Sequence, residues 1–308
     1  MNTNTSLKNK FDSSSKTKVV LLAEDLIKIY KTGESETQAL RGVSLKVHEG
    51  EKVFLIGPSG SGKTTLVNIL AGIDKPTSGK VFWGDLNEDI TRSSHEEIIR
   101  NRRNYVGVIF QDSKLIPHLT VEENIRLTAH YANLDFEETE RRLEFILKFM
   151  GIWDKRNKKQ NRLSGGEQKR AAIASTLITN PRIIIGDEPT GNLDIVTSSK
   201  ILDLLDKINV ELNVALLIVT HSQLVAQRAD RIIEFSDGVI LAQHGKDIRL
   251  RELKQTRELE IDRQNRIHIP QSILEELNNP KHFTINLENK KIVLKPIYQQ
   301  EDENENNS

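Results

Sequence analysis

The chain has no cysteine, which excludes disulfides, thiolate metal sites and thiol nucleophiles together and fits a reducing cytoplasm. It also has no apolar run approaching the roughly 18 residues that a membrane-spanning helix requires, so it is not expected to cross a bilayer by itself. Net charge is absent as well: 44 basic side chains stand against 44 acidic ones. No global field therefore points toward nucleic acid or an anionic membrane, and any such contact must be local. The 8 histidines are scattered, with none at the i, i+4 spacing of a metal-ligand pair.

What is present suits one large α/β domain and a smaller module, since 308 residues that are 37% hydrophobic can bury a real core. The stretch from Met1 to Lys18 is rich in Asn, Ser, Thr and Lys and lacks the apolar segment of a signal peptide. It is expected to be a disordered tail, as is the acidic, amide-rich stretch from Gln299 to Ser308. Between them, short apolar runs at Val53–Ile56, Val106–Phe110, Ile183–Ile185 and Val214–Val219 alternate with helical patterns, which predicts a largely parallel sheet. From Asp135 a charged helical stretch through Leu143, Ile146, Leu147 and Met150 predicts an inserted helical subdomain, about residues 112–165. The Arg/Lys/Glu-rich segment 246–256 reads as a linker between a domain at 19–245 and a β-rich module at 257–298.

Gly57-Pro58-Ser59-Gly60-Ser61-Gly62-Lys63-Thr64-Thr65 follows an apolar strand candidate and precedes the helical pattern of Leu66, Ile69 and Leu70. That is the setting of a P-loop: small residues let backbone N–H groups wrap phosphates, and the following helix N-terminus adds positive potential. Lys63 then reaches the terminal phosphates, and the Thr64 hydroxyl is placed for Mg²⁺. Asp187 and Glu188 end a buried strand, the first beside the loop for Mg²⁺ and the second where it orients and deprotonates water.

Leu163-Ser164-Gly165-Gly166-Glu167-Gln168 resembles the signature motif that separates ABC ATPases from other P-loop proteins, and it precedes the paired acids as that family requires. The resemblance, running from about Val19 to Leu241, implies a P-loop NTPase core of the ABC type with a β subdomain and an inserted helical subdomain. It implies ATP and Mg²⁺ as cofactors, with each ATP lying between one copy's P-loop and the other copy's Ser164, Gly165 and Gly166, hence a homodimer. It further implies that Gln111 senses Mg²⁺ and water, that Asp194 acts across the dimer, that His221 contacts the γ-phosphate and that Tyr30 stacks on adenine. Gln38-Ala-Leu-Arg-Gly-Val and Asp74-Lys-Pro-Thr-Ser-Gly look like the subgroup of lipoprotein-releasing and macrolide- or peptide-exporting systems. In that subgroup the chain would sit on the cytoplasmic face of the membrane and drive a separate multi-span permease. The permease would dock beside Leu115–Asn124, where Thr120 and Glu123 have capping-box spacing.

Residues 257–297 resemble the AbrB-like swapped-hairpin family, with Asn265 where that family commonly has glycine at a tight turn. About forty residues without disulfide or metal rarely hold a core alone, so interleaving with a second copy is expected. Relatives of that module bind DNA, but seven basic and six acidic side chains leave only +1 here. That is little charge for gripping phosphates unless Arg263 and Arg266 cluster with their copies. The rival reading is a non-transport ABC ATPase acting in DNA repair, translation or gene control.

Overall fold

In the computed structural model the described residues are 18–33, 35–84, 88–221, 223–245, 258–259, 267, 269, 271–280, 282–288 and 291–297. The chain divides into two compact units, Met1–Glu258 and Leu259–Ser308.

In the first unit, β1 (Val19–Thr32) pairs antiparallel with β2 (Ser35–His48), and β4 (Ser78–Trp83) pairs with the other edge of β1. The second sheet is built from β3 (Lys52–Ile56), β5 (Val106–Ile109), β6 (Ile183–Asp187), β7 (Ala215–Thr220), β8 (Arg231–Ser236) and β9 (Val239–His244). These six lie in the order β9-β8-β3-β7-β6-β5, parallel except for the β8–β9 hairpin. Asp237-Gly238, both at positive φ, form the two-residue turn of that hairpin, the Asp-Gly chemistry that a type I′ turn demands.

The central strands read as unbroken apolar runs because both faces are covered. Alternation along each strand then sends successive residues to opposite cores. Ile183, Ile185, Leu217 and Val219 join a cluster with α1 (Lys63–Leu70) and the inner face of the antiparallel sheet, including Leu21, Leu26 and Trp83. Ile184, Leu216 and Ile218 join a second cluster under α3 (Val121–Tyr131), α4 (Phe136–Phe149), α5 (Gly165–Leu177) and α6 (Ile195–Leu212). Each such side chain contributes about 1.5–3 kcal/mol of burial. Trp83, flat against Tyr105 of α2 (His95–Tyr105), also donates its indole N–H to the Leu70 carbonyl at 3.0 Å. A buried ring thus keeps its one polar group paired.

Five of the helices start on side-chain caps. Ser94, Thr120 and Ser164 each form a reciprocal capping box with the glutamate three residues on, and Asp135 and Asp194 cap α4 and α6. Each cap is worth roughly 1 kcal/mol. A short helix, α7 (Gln223–Ala226), leads into β8.

After the two-residue strand β10 (Glu258–Leu259), the second unit contains α8 (Gln271–Glu276) and the hairpin of β11 (His282–Glu288) and β12 (Lys291–Ile297). Its register places Phe283, Ile285 and Leu287 opposite Pro296, Leu294 and Ile292, an entirely apolar face. The expected tails apart from Lys18, the 246–256 linker and the Asp262–Arg266 turn with Asn265 lie outside the described residues, and the Lys18 carbonyl accepts from Glu49 N–H at 2.8 Å.

Candidate active site

The loop between β3 and α1 is shaped by what its glycines exclude. A Cβ on Gly57 would meet the Phe235 carbonyl oxygen at 1.9 Å. Gly62 sits at φ 100°, where L side chains are strained, and a Cβ there would meet the Ala39 carbonyl oxygen at 2.4 Å. Gly238 approaches that same carbonyl from the hairpin turn, while its N–H donates to the Ser61 carbonyl at 2.9 Å. The Lys63 ammonium, 7% exposed, donates to the carbonyls of Gly57 (2.9 Å) and Pro58 (2.5 Å) and to Ser61 Oγ (3.3 Å). Burial pulls its pKa below 10.5, an effect that the charges of Glu188 and Asp187 oppose.

The two acids occupy different environments. Asp187 ends β6 half-buried, and burial lifts its pKa above the ordinary value. A hydrogen bond from Thr64 and the charge of Lys63 oppose that rise, while the charge of Glu188 adds to it. Glu188 has φ 47°, a left-handed backbone that costs a non-glycine residue about 1–2 kcal/mol. Two bonds hold it there: its N–H donates to the Val219 carbonyl, and its own carbonyl accepts from Gly191 N–H, both at 2.9 Å. The Glu188 carboxylate lies 3.0 Å from His221 Nδ1, and the His221 ring is 71% exposed.

Ser61, Gly62, Lys63, Thr64, Asp187, Glu188 and His221 share a cleft of about 720 Å³ with Tyr30, Ser59, Gly60 and Thr65, whereas Gly57 and Pro58 do not line it. The Tyr30 phenol donates to Asp74 at 3.0 Å, fixing the ring at the rim with 41% of the residue exposed. Thr37, Gln38, Ala39, Arg41, Asp237 and Gly238 also line the cleft. Sequence reasoning missed them, although the Asp-Gly pair between two β-rich runs is a hairpin signal that could have found the last two.

The other expected site residues lie outside this cleft. Gln111 follows β5 and packs against Gly191, whose missing Cβ would fall 2.8 Å from Gln111 Cγ. Ser164 and Gly165 are exposed at the start of α5, and Gly166 abuts Thr197, where a Cβ would come within 2.7 Å of its methyl group. Asp194 caps α6 by accepting from Thr197 N–H at 2.9 Å, beside the exposed apolar residues Ile195 (89%) and Val196 (64%).

The donor set fits a phosphate ligand carrying a divalent cation. A half-buried Asp187 needs positive charge, the Thr64 hydroxyl adjoins it, and no cluster of three or more His, Cys, Asp or Glu exists among the described residues to cage a metal by itself. A cation bound there would take most of its ligands from phosphate and water, as Mg²⁺ does.

The ABC transporter family model matches residues 40–191. A lipoprotein-releasing system ATP-binding protein LolD of Legionella pneumophila (strain Lens) is 38% identical over 224 residues, covering 73% of this chain and 98% of the relative. The macrolide export ATP-binding/permease protein MacB of Syntrophobacter fumaroxidans is 41% identical over 72% of this chain, which spans 31% of MacB's length. Among solved structures, the ATP-binding cassette MJ0796, a dimer in a post-hydrolysis state bound to ADP and Pi, superposes with a TM-score of 0.68 at 38% identity. That match covers 74% of this chain and all of the cassette. Sequence, fold and the phosphate-shaped cleft agree, and the chain belongs to the ATP-binding, ATP-hydrolysing cassettes of the ABC transporter family.

Proposed function

We propose that two copies of this chain close around two ATP molecules and drive a separate membrane permease of the export or lipoprotein-release type from its cytoplasmic face. The carrying observation is the division of the site. One copy gathers the P-loop, Asp187, Glu188 and His221 in a single cleft, while its Ser164 and Gly165 stay exposed outside it. An exposed helix N-terminus opening on two glycines suits a γ-phosphate, so in this reading each cleft is completed by the other copy's signature. The dimeric state of the MJ0796 cassette supports this arrangement, as do the exposed Ile195 and Val196 beside Asp194.

In this reading the loop N–H groups and Lys63 hold the phosphates, the ammonium exchanging loop carbonyls for phosphate oxygens. Thr64 and Asp187 hold Mg²⁺, which neutralises phosphate charge. Tyr30 offers its ring face to adenine, and Gln111 and Asp194 relay the state of the γ-phosphate between copies. Glu188 accepts the proton of the attacking water, and His221 orients Glu188 through the 3.0 Å contact and faces the γ-phosphate. The permease docks in the groove between β5 and α3, a cleft of about 580 Å³ that includes Leu115, Ile116 and Asn124. The likeness to a lipoprotein-releasing system ATP-binding protein and to a macrolide export ATP-binding/permease protein supports a permease as the partner.

The second unit adds a further contact between copies. Ile285 (69%), Leu287 (76%) and Ile292 (58%) expose the apolar face of a two-stranded hairpin. Such hairpins are marginal alone, and an AbrB-like pairing with the second copy would cover this one.

The test is Glu188→Gln full-length protein with Mg-ATP. Sedimentation should show a stable dimer whose hydrolysis is slowed at least about 100-fold, and capture from native membranes should recover a multi-span permease. Rapid turnover would reject Glu188 as the base, and recovery of nucleic acid or soluble proteins alone would reject the transporter reading.

A further inference from the structure

The groove between β5, α3 and α5 carries an electrostatic imbalance. Its lining includes Arg102, Arg103 and Lys114 and no acidic side chain; Lys114 pairs with Asp112 just outside the lining at 3.4 Å, in a chain whose charges balance overall. Four half-buried arginines elsewhere in the first unit find carboxylates, although Arg170 is half-buried without one among the described residues: Arg126 pairs with Glu122 and Glu140, Arg142 with Glu138, Arg228 with Asp203 and Asp206, and Arg231 with Glu51. Arg102 and Arg103 do not. Arg102 donates to the Gly72 carbonyl at 3.2 Å, and the Arg103 guanidinium lies 5.6 Å from the Tyr131 ring centroid. Burial, with the neighbouring charge of Arg103, depresses the Arg102 pKa.

Position in the last turn of α2 accounts for part of this. Cations there are favoured by the helix dipole, but that leaves two adjacent guanidiniums without a counter-charge. The remaining surface of the groove is that of a docking site. Tyr131 (55%) and Ile73 (40%) stand exposed at its rim, and Ser175 Oγ is buried without a hydrogen-bond partner. The missing components are apolar bulk, one polar group and negative charge.

We infer that this groove selects a short membrane-subunit segment that lays an apolar side against Tyr131 and Ile73 and presents an Asp or Glu to the Arg102–Arg103 pair. This rests on the permease-docking reading above and adds its recognition rule. A carboxylate entering a half-buried site with two waiting guanidiniums forms charge-assisted, directional bonds. A segment carrying Lys or Arg at that point would be repelled, so the same pair that attracts one permease rejects others. Neither arginine lines the nucleotide cleft, so this selection is separable from hydrolysis.

The experiment uses the full chain in its native cells, with p-benzoylphenylalanine placed at Tyr131 as a photo-crosslinker and mass spectrometry of the captured peptide. The expected product is a membrane-subunit peptide with Asp or Glu within one helical turn of the crosslinked residue. Arg103→Glu should lower crosslinking at least about tenfold, which corresponds to about 1.4 kcal/mol. Basal ATPase of the purified chain should stay within twofold, and changing the partner's acid to Arg should restore the crosslink to Arg103→Glu. A membrane peptide lacking an acid near the crosslink, or a crosslink indifferent to Arg103→Glu, would overturn the recognition rule and leave permease docking standing. No membrane peptide in any form would overturn the docking reading itself.

Discussion

Lys169 offers the sharpest test of how the two halves of the site are connected. It is 2% exposed, and from the middle of α5 its ammonium donates to the carbonyls of Phe110 (2.9 Å) and Gln111 (2.5 Å) at the end of β5. The helix that begins with Ser164 is thereby bolted to the residue that packs on Gly191. Burial, only partly opposed by the charge of Asp112, lowers the Lys169 pKa from 10.5 to about 8, which corresponds to about 3 kcal/mol spent holding the charge inside. Against that stand two charge-assisted hydrogen bonds of about 1.5–3 kcal/mol each. Lys169→Met removes the desolvation cost and the bonds together, orphaning two carbonyls, so net stability should fall by only about 1–2 kcal/mol. The activity effect should be larger, because Gln111 loses its anchor.

The pH dependence separates the two effects. Between about 8 and 10.5 the folded state binds fewer protons at Lys169 than the unfolded state, so this group's contribution to stability rises with pH. Its grip on the Gln111 carbonyl, which is charge-assisted while the ammonium is protonated, weakens over the same range. Wild-type kcat should therefore drop as pH passes about 8 while the contribution of Lys169 to thermal stability improves, and Lys169→Met should show neither trend. Steady-state hydrolysis and melting temperature measured from pH 6.5 to 9.5 decide it. A Lys169→Met enzyme with kcat within twofold of wild type and an unchanged pH profile would refute the reasoning.

Gly57→Ala should prevent the loop from closing against β8, because its Cβ would lie 1.9 Å from the Phe235 carbonyl. Expected readouts are loss of nucleotide binding by fluorescence titration and a destabilisation of several kcal/mol, on the order expected for a severe backbone clash. Lys63→Ala should weaken ATP binding at least about tenfold with a small change in melting temperature, readable by calorimetric titration. Leu287→Asp places a charge on the apolar hairpin face and should abolish any nucleotide-independent dimer seen by sedimentation, yet leave ATP-driven dimerisation of the Glu188→Gln background intact.

The parts of this architecture that were legible in the sequence are those where chemistry fixes spacing. The P-loop, the signature and the Asp187-Glu188 pair must each present adjacent backbone or carboxylate groups, so they survive as contiguous words. The central strands were legible because burial on both faces leaves uninterrupted Ile and Val runs. The antiparallel sheet was expected only as a β subdomain without its strands, and the register explains why. β1 shifts register between Ala23 and Leu26 and again before Ile27, with Asp25 at φ 49°. Bulges of this kind destroy the period-2 alternation on which a strand is recognised. Arg41 and Asp237 reach the cleft from elements far apart in sequence, and the bond from Lys169 to Gln111 spans 58 residues. Pairings of that length leave no local pattern to read.

The Ala39 carbonyl, pressed between Gly62 and Gly238, makes position 39 important in a way its side chain does not reveal. Three separate stretches of main chain meet there with no room for a methyl group on either flanking glycine. The oxygen that fills the gap would be supplied by any residue accepting the same strand conformation. Random mutagenesis scored by activity should therefore find small side chains accepted at position 39, which lines the nucleotide cleft, and positions 62 and 238 intolerant. A map of sensitive sites would trace the outline of this keystone while leaving its centre blank.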